Sequence, residues 1–328
     1  MLPQISILIP FYNCEKYIYR CIESIAVQSF RDFEVVLLDD CSDDNSLEVA
    51  ISTLDTHSWI RYKLLQNPQN KGVAYCRNRL MENAVGKYLL FVDADDWIEA
   101  DMLEILYHKA EQEVADIVVS DFFYETPGKT IVAHDFVASS REENIKNAIE
   151  QKIVYTSLWN KLIVSDLVRR NGCTFPIDLN MSEDRLLVIK LYCFAHKISK
   201  LDKPLYHYNR MNESSITATK TEFHYKQAIL FWQYLDEFLQ SLNIYEKYRK
   251  SIEYSKVENK VLLMQQVKSC RLHRKYGYLF EDIAPSFIGV FPYKSQNLTL
   301  YFANRKMYGM AYLVNLMLRF KVRLFSWL

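Results

Sequence analysis

Glycine is scarce in this 328-residue chain, with seven in all against 23 Tyr and 18 Phe. No Gly-x-Gly-x-x-Gly follows the first apolar run, which disfavours a dinucleotide-binding oxidoreductase. Pro10-Phe11-Tyr12-Asn13 contains neither Gly nor Lys, which disfavours a nucleotidyltransferase that cradles a triphosphate at its N-terminal loop. Charge of one sign is also missing: 40 basic residues balance 40 acidic ones, so no global field argues for nucleic acid. The seven cysteines are odd in number, scattered and without a Cys-x-x-Cys pair. That pattern disfavours a disulfide framework or a zinc site and reads as reduced thiols in a cytosolic compartment. No run approaches the ~18 apolar residues of a membrane span. No basic segment followed by an apolar one opens the chain, because Ile5 to Ile9 is already strand-length, so no signal peptide is expected.

What the chain does contain is alternation. Ile5–Ile9, Phe33–Leu38, Ile60–Leu65 and Tyr88–Val92 read as apolar strands. Helical spacing fills Glu15–Gln28, about Asn45–Leu54, and Gly72–Asn83 between them. Strands alternating with helices of this length predict an α/β fold with a mostly parallel sheet, and ligands in such sheets bind beyond the carboxyl ends of the strands.

Those ends are polar. The fourth stops at Asp93-Ala94-Asp95-Asp96-Trp97, three carboxylates within four positions. Like charges so close raise one another's pKa unless they are solvated or share a cation. Mg²⁺ and Mn²⁺ accept one or two carboxylates and complete their shells with water and phosphate, which Asp93 and Asp95 suit. The alternative is a turn in which Asp96 caps a helix starting near Glu99. The other ends, Pro10–Asn13, Asp39–Asp44 and Asn70–Asn78, add carboxylates, an aromatic ring and an arginine on one edge, which fits a nucleoside-diphosphate site. Ser42-Asp43-Asp44 taken alone is most simply a helix cap.

Beyond the fourth strand, a helix is expected near Asp101–Gln112 and a buried strand at Asp116–Ser120. A hairpin should turn at Thr126-Pro127-Gly128, followed by a helix over Arg141–Gln151. Leu158–Ile163 has no decisive periodicity, and a short helix ends at Asn171-Gly172. Glu183-Asp184 precedes the amphipathic run Leu186–Phe194, as helix N-terminal charge or as a general base at the lip of the pocket. In the alternating strand Leu205–Arg210, His207 is expected to be structural, and a polar loop follows through Ser214-Ser215. From Thr221 long helical patterns cover Glu222–Leu242 and Tyr245–Arg274. The stretch Arg305–Leu328 has five basic residues and no acidic one, and either lies on an anionic membrane or packs on the preceding helices.

Ile5–Asn13, Asp39–Asp44, Asn70–Asn78 and Asp93–Trp97, with the later Trp159-Asn160-Lys161 and Glu183-Asp184, resemble in order and spacing an inverting family 2 glycosyltransferase. The resemblance covers about residues 4 to 210. It implies the GT-A fold, a Rossmann-like mixed, mostly parallel sheet flanked by helices. The catalytic domain would span residues 1–220, with an appended helical region over 221–328. It also implies a nucleotide-sugar donor, most often a UDP-sugar, held by Pro10, Tyr12, Asn13, Asp40, Arg77, Asp93 and Ala94. In that arrangement Tyr12 stacks on the base, Asp40 accepts from the uracil imide and Arg77 lies near base and phosphates. Asp93 faces ribose or donor sugar, Asp95 holds Mn²⁺ or Mg²⁺, and Asp184, with Glu183 beside it, is the catalytic base. Tyr75-Cys76 departs from the family, which usually carries smaller residues before the arginine. The implied partners are the donor and a glycan or lipid-linked saccharide acceptor at the cytoplasmic face of a membrane, with no nucleic acid; the helical tail is compatible with a homodimer. The alternative reading is a GT-A-like nucleotide-binding or scaffold protein without turnover, which absence of the metal acid or the base would signal; neither is absent.

Overall fold

The computed structural model describes residues 2–211 and 221–325, and side chains as far as residue 318. The chain divides into two compact units, residues 1–213 and 214–328.

The first unit opens with β1 (Ile5–Phe11), α1 (Ile18–Ala26), β2 (Phe33–Asp39), α2 (Ser46–Thr56), β3 (Arg61–Gln66), α3 (Val73–Asn83) and β4 (Tyr88–Phe91). There follow β5 (Trp97–Ile98), α4 (Met102–Glu113), β6 (Ile117–Thr126), β7 (Lys129–Ala133), α5 (Arg141–Glu150), β8 (Lys161–Val164), α6 (Ser165–Arg170), α7 (Glu183–Phe194) and β9 (Ile198–Asn209). The sheet runs β3-β2-β1-β4-β8-β6-β9-β5, with β7 on β6. β1 and β2 are buried on both faces, as central parallel strands covered by helices must be, which is why they read as unbroken apolar runs. α1 lays Ile18, Cys21, Ile22 and Ile25 on that layer, the spacing of one helical face. Each such side chain, fully buried, contributes about 1.5–3 kcal/mol.

The parallel register positions the site. Phe11 lies beside Asp39, Asp39 beside Gln66, and Leu8 beside Phe91, so four strands deliver their following loops to one sheet edge. The chain then reverses. Leu158–Ile163, untypable from periodicity, ends in β8, antiparallel to both β4 and β6. Its four residues are too few for a periodic signal. The hairpin at Thr126-Pro127-Gly128 forms between β6 and β7. The alternative in which Asp96 caps a helix from Glu99 is not what forms: Trp97 and Ile98 pair as β5 with His207 and Tyr206 of β9, and the helix expected near Asp101–Gln112 is α4, which begins at Met102. Ser214-Ser215 lies outside the described residues.

The second unit comprises α8 (Glu222–Ser241), α9 (Tyr245–Gln266), α10 (Cys270–Gly277), a 3₁₀ turn (Ala284–Phe287), α11 (Lys294–Asn304) and α12 (Tyr308–Phe325). The long pattern expected to Arg274 breaks at Val267, whose backbone is extended, and α10 restarts where Ser269 accepts from the Leu272 N–H. Met264, Tyr276, Ala303 and Ala311 share a core here. The basic tail packs on its own unit, burying Tyr308, Ala311 and Asn315. Among the described residues no helix is long and apolar enough to cross a membrane.

Candidate functional site

Asn13, Cys41 and Ser182 adopt left-handed backbones (φ of 49°, 66° and 65°) at three loops of one sheet edge. Such residues cost about 1–3 kcal/mol and persist only where neighbours hold them, and they gather at functional sites. Asn13 is held by Ser42: its N–H donates to Ser42 Oγ at 3.1 Å, and its own Oδ1 accepts from the Asp43 N–H at 3.0 Å. Asp44 accepts from the N–H groups of Ser46 (2.9 Å) and Glu15 (3.1 Å), so it both caps α2 and ties it to the loop after β1. Tyr12, beside this stitch, leaves its ring 47% exposed, in the company of Pro10 at the end of β1.

Asp40 is engaged by the loop that leads into α3. Its carboxylate is buried and accepts from Asn67 Nδ2 (2.7 Å), the Lys71 N–H (2.8 Å) and the Gly72 N–H (2.8 Å). Three of roughly four acceptor directions on a carboxylate are thus taken by the loop leading into α3. Gly72 has φ of 86° and ψ of 162°, a region essentially reserved for glycine, and an added Cβ would lie 2.4 Å from Asn180 Oδ1. Gly72→Ala is therefore expected to cost about 1–3 kcal/mol, read as a lower urea midpoint at unchanged slope.

The acidic turn is pinned from behind. Asp96 does not cap a helix; it is fully buried, accepting from Tyr206 Oη (2.7 Å) and the Asn209 N–H (2.7 Å). Burial, with Asp95 and Asp93 nearby, pushes its carboxyl well above the usual range. The Asp95 carbonyl accepts from Asn209 Nδ2 (3.1 Å) and Arg20 (3.4 Å), whose guanidinium stacks 3.4 Å above the Trp97 ring. His207 is structural, stacked between Trp97 and Phe123 and hydrogen-bonded to Glu125 (2.8 Å) and Glu99 (2.7 Å). Ala94 is buried, while the side chains of Asp93 and Asp95 stay partly exposed. Among the described residues no group of three or more His, Cys, Asp or Glu side chains forms a metal cage. A divalent ion on this turn would therefore take most of its shell from water and diphosphate, the habit of Mg²⁺ and Mn²⁺.

Arg77 joins the acidic turn to the pair Glu183-Asp184. Its guanidinium is buried and bonds Glu183 Oε1 at 2.5 Å and Asp93 Oδ1 at 3.1 Å, tying α3 to the first turn of α7 and to the end of β4. Burial works against its charge, but Asp93, Glu183 and Asp184 more than compensate and its pKa rises. Burial also pushes Glu183 up, to about 7, against the pull of Arg77. Asp184 is raised for the same first reason, opposed by Arg77, yet it remains partly exposed where Glu183 is not. Beneath them, fully buried Lys161 donates to the Tyr155 carbonyl (2.8 Å) and Asn160 Oδ1 (2.9 Å) and lies 3.4 Å from Asp135, which also takes Asn160 Nδ2 at 2.8 Å.

Sequence reasoning missed Asn180, Arg20, Tyr206 and Asn209, which hold the site loops from distant positions. Only the clustering of Tyr and Asn in Tyr206–Asn209 marked any of them.

The sequence profile described as Glycosyl transferase family 2 matches residues 6–170. The Bacillus subtilis glycosyltransferase EpsH is 31% identical over 76% of this chain and 73% of its own length. The Staphylococcus aureus poly(ribitol-phosphate) beta-N-acetylglucosaminyltransferase TarS is 28% identical over 72% of this chain and 41% of its length. The crystal structure of TarS residues 1–349 in complex with UDP-GlcNAc superposes with a TM-score of 0.63 at 22% identity, over 96% of this chain and 91% of that one, so the GT-A fold is shared. A strand-end site of this construction on that fold, with these relatives, makes the chain a glycosyltransferase belonging to family 2.

Proposed function

We propose that the protein transfers a sugar from a UDP-sugar to a hydroxyl of a glycan or lipid-linked saccharide, with inversion, in cell-surface polysaccharide synthesis. It would work in the cytoplasm, peripheral to the membrane face. The observation that carries this reading is the division of labour between two adjacent acids: Glu183 is consumed by Arg77, while Asp184 is left partly open beside it. Tyr12 offers a stacking face to the base and Asp93 lines the donor. Asp40 shapes this wall through the loop before α3 and retains at most one free acceptor direction for a uracil imide.

In the reaction the acceptor hydroxyl attacks the anomeric carbon, the bond to the diphosphate oxygen breaks, and Asp184 takes the hydroxyl proton as the new bond forms. No covalent intermediate is involved, and an α-linked donor gives a β-linked product. Mn²⁺ or Mg²⁺ at Asp95, when bound, neutralises charge accumulating on the leaving diphosphate. Arg77 and Glu183 hold Asp93 and Asp184 in register across three elements.

The base must be ionised to act, so activity falls as pH drops through its pKa. Because burial raises Asp184 from the ordinary 3.8, the acid limb of kcat/KM is expected nearer neutrality than that value. A pH–rate profile with the limb at an ordinary carboxylate value would contradict the assignment of Asp184. The stereochemistry is tested by proton NMR of the sugar released when water replaces the acceptor. β-Sugar appearing first from an α-linked donor is expected, and α-sugar first would refute single displacement.

A further inference from the structure

The hairpin of α11 and α12 turns apolar side chains to solvent as well as into its own core. On α12 the inward face carries Tyr308, Ala311 and Asn315, while Met310, Leu313 and Met317 point outward, 44%, 47% and 71% exposed. Asn315 is buried in a polar network, its Oδ1 accepting from Thr299 at 2.9 Å and its Nδ2 lying 2.7 Å from His273. On α11 Gln296, Thr299, Leu300 and Ala303 face inward, while Leu298 and Tyr301 are exposed. A helix pair in water ordinarily turns a polar face outward, and an exposed apolar face marks an interaction site.

Charge indicates what covers it. From Ile283 to Leu328 the sequence holds six Lys or Arg and no Asp or Glu, although the chain as a whole is balanced. At the chain's average acid content that segment would carry about five or six acids. Lys294, Arg305 and Lys306 are exposed at the ends of the two helices. The guanidinium of Arg305 sits 3.7 Å over the Tyr301 ring, bringing a cation to the edge of the apolar stripe. An apolar face rimmed by cations with no acid suits the boundary between acyl chains and anionic headgroups.

We propose that this hairpin is a docking surface for an anionic lipid bilayer. Met310, Leu313 and Met317 enter the interface with Leu298 and Tyr301, and Arg305 and Lys306 meet the headgroups. The proposal deepens the peripheral placement suggested above and fails independently of the catalytic reading, since UDP binding is measured on the same preparations. The experiment floats the full-length protein with vesicles of equal parts phosphatidylglycerol and phosphatidylcholine, or of phosphatidylcholine alone. Flotation with the anionic vesicles is expected to exceed that with neutral ones by about tenfold or more and to weaken in high salt. The triple variant Met310→Glu, Leu313→Glu, Met317→Glu should stay in the unfloated fraction. If that variant does not fold, Arg305→Ser with Lys306→Ser decides by losing most of the flotation. Wild-type protein that ignores anionic vesicles would overturn the proposal. So would variants that float as wild type, or substitutions whose sole effect is to turn a dimer into a monomer, which would assign the face to a second copy of the chain.

Discussion

Asp184→Asn is expected to lower kcat by about 10²- to 10⁴-fold, the range a positioned general base supplies. The affinity for UDP should stay at the wild-type value. The side chain is partly exposed and, among the described residues, accepts from the adjacent Arg185 N–H at 2.7 Å. An amide of the same shape keeps that contact and cannot take a proton. Glu183→Gln separates the two acids: it should disturb Arg77 and lower stability as well as rate, whereas Asp184→Asn lowers rate alone. Steady-state kinetics beside calorimetric UDP titration reads both quantities. A variant that keeps its rate would move the base elsewhere.

Arg77→Ala should be the most damaging single change to the fold. It leaves Glu183 buried without its cation, and removal of one partner from a buried pair costs about 3–5 kcal/mol. The second carboxylate, Asp93, keeps 30% of its side chain in solvent, so its share is smaller and the lower end of that range is expected. Domains with total stabilities of about 5–15 kcal/mol lose a large fraction of their margin to such a change. Urea unfolding measures it. Arg77→Lys should recover little, because one ammonium does not reproduce a fork reaching carboxylates on both β4 and α7. A midpoint unchanged from wild type in Arg77→Ala would show that the cluster carries no structural weight.

The parallel half of the sheet was legible because β1, β2 and β4 are buried on both faces and the helices on one, which writes two distinct periods into residues 5–92. The edge bearing the acids followed from the same pattern, since the carboxyl ends of parallel strands share a side. The roles of Asp96, Asp40 and Arg77 were hidden for one common reason. Each is decided by partners remote in the chain: Asp96 and Asn209 are 113 positions apart, Arg77 and Glu183 are 106. A carboxylate that accepts backbone N–H groups and one that waits for a ligand look alike in sequence. Asp96 before an apolar pair left a helix cap open as the alternative, and the pairing of β5 with β9 closed it. α11 and α12 carry apolar residues on both the buried and the exposed face, so periodicity alone does not say which face is turned to water.

A nucleoside-diphosphate site at the strand ends, with a metal recruited by Asp95, is the centre of the proposed function. Calorimetric titration of the purified protein with UDP and other nucleoside diphosphates, with and without Mn²⁺, and again on Asp95→Ala, tests this directly. Metal-dependent binding of UDP that disappears in Asp95→Ala is the predicted result. Binding that is indifferent both to the metal and to the substitution would contradict the role of Asp95, and no binding of any nucleotide under either condition would contradict the donor site itself.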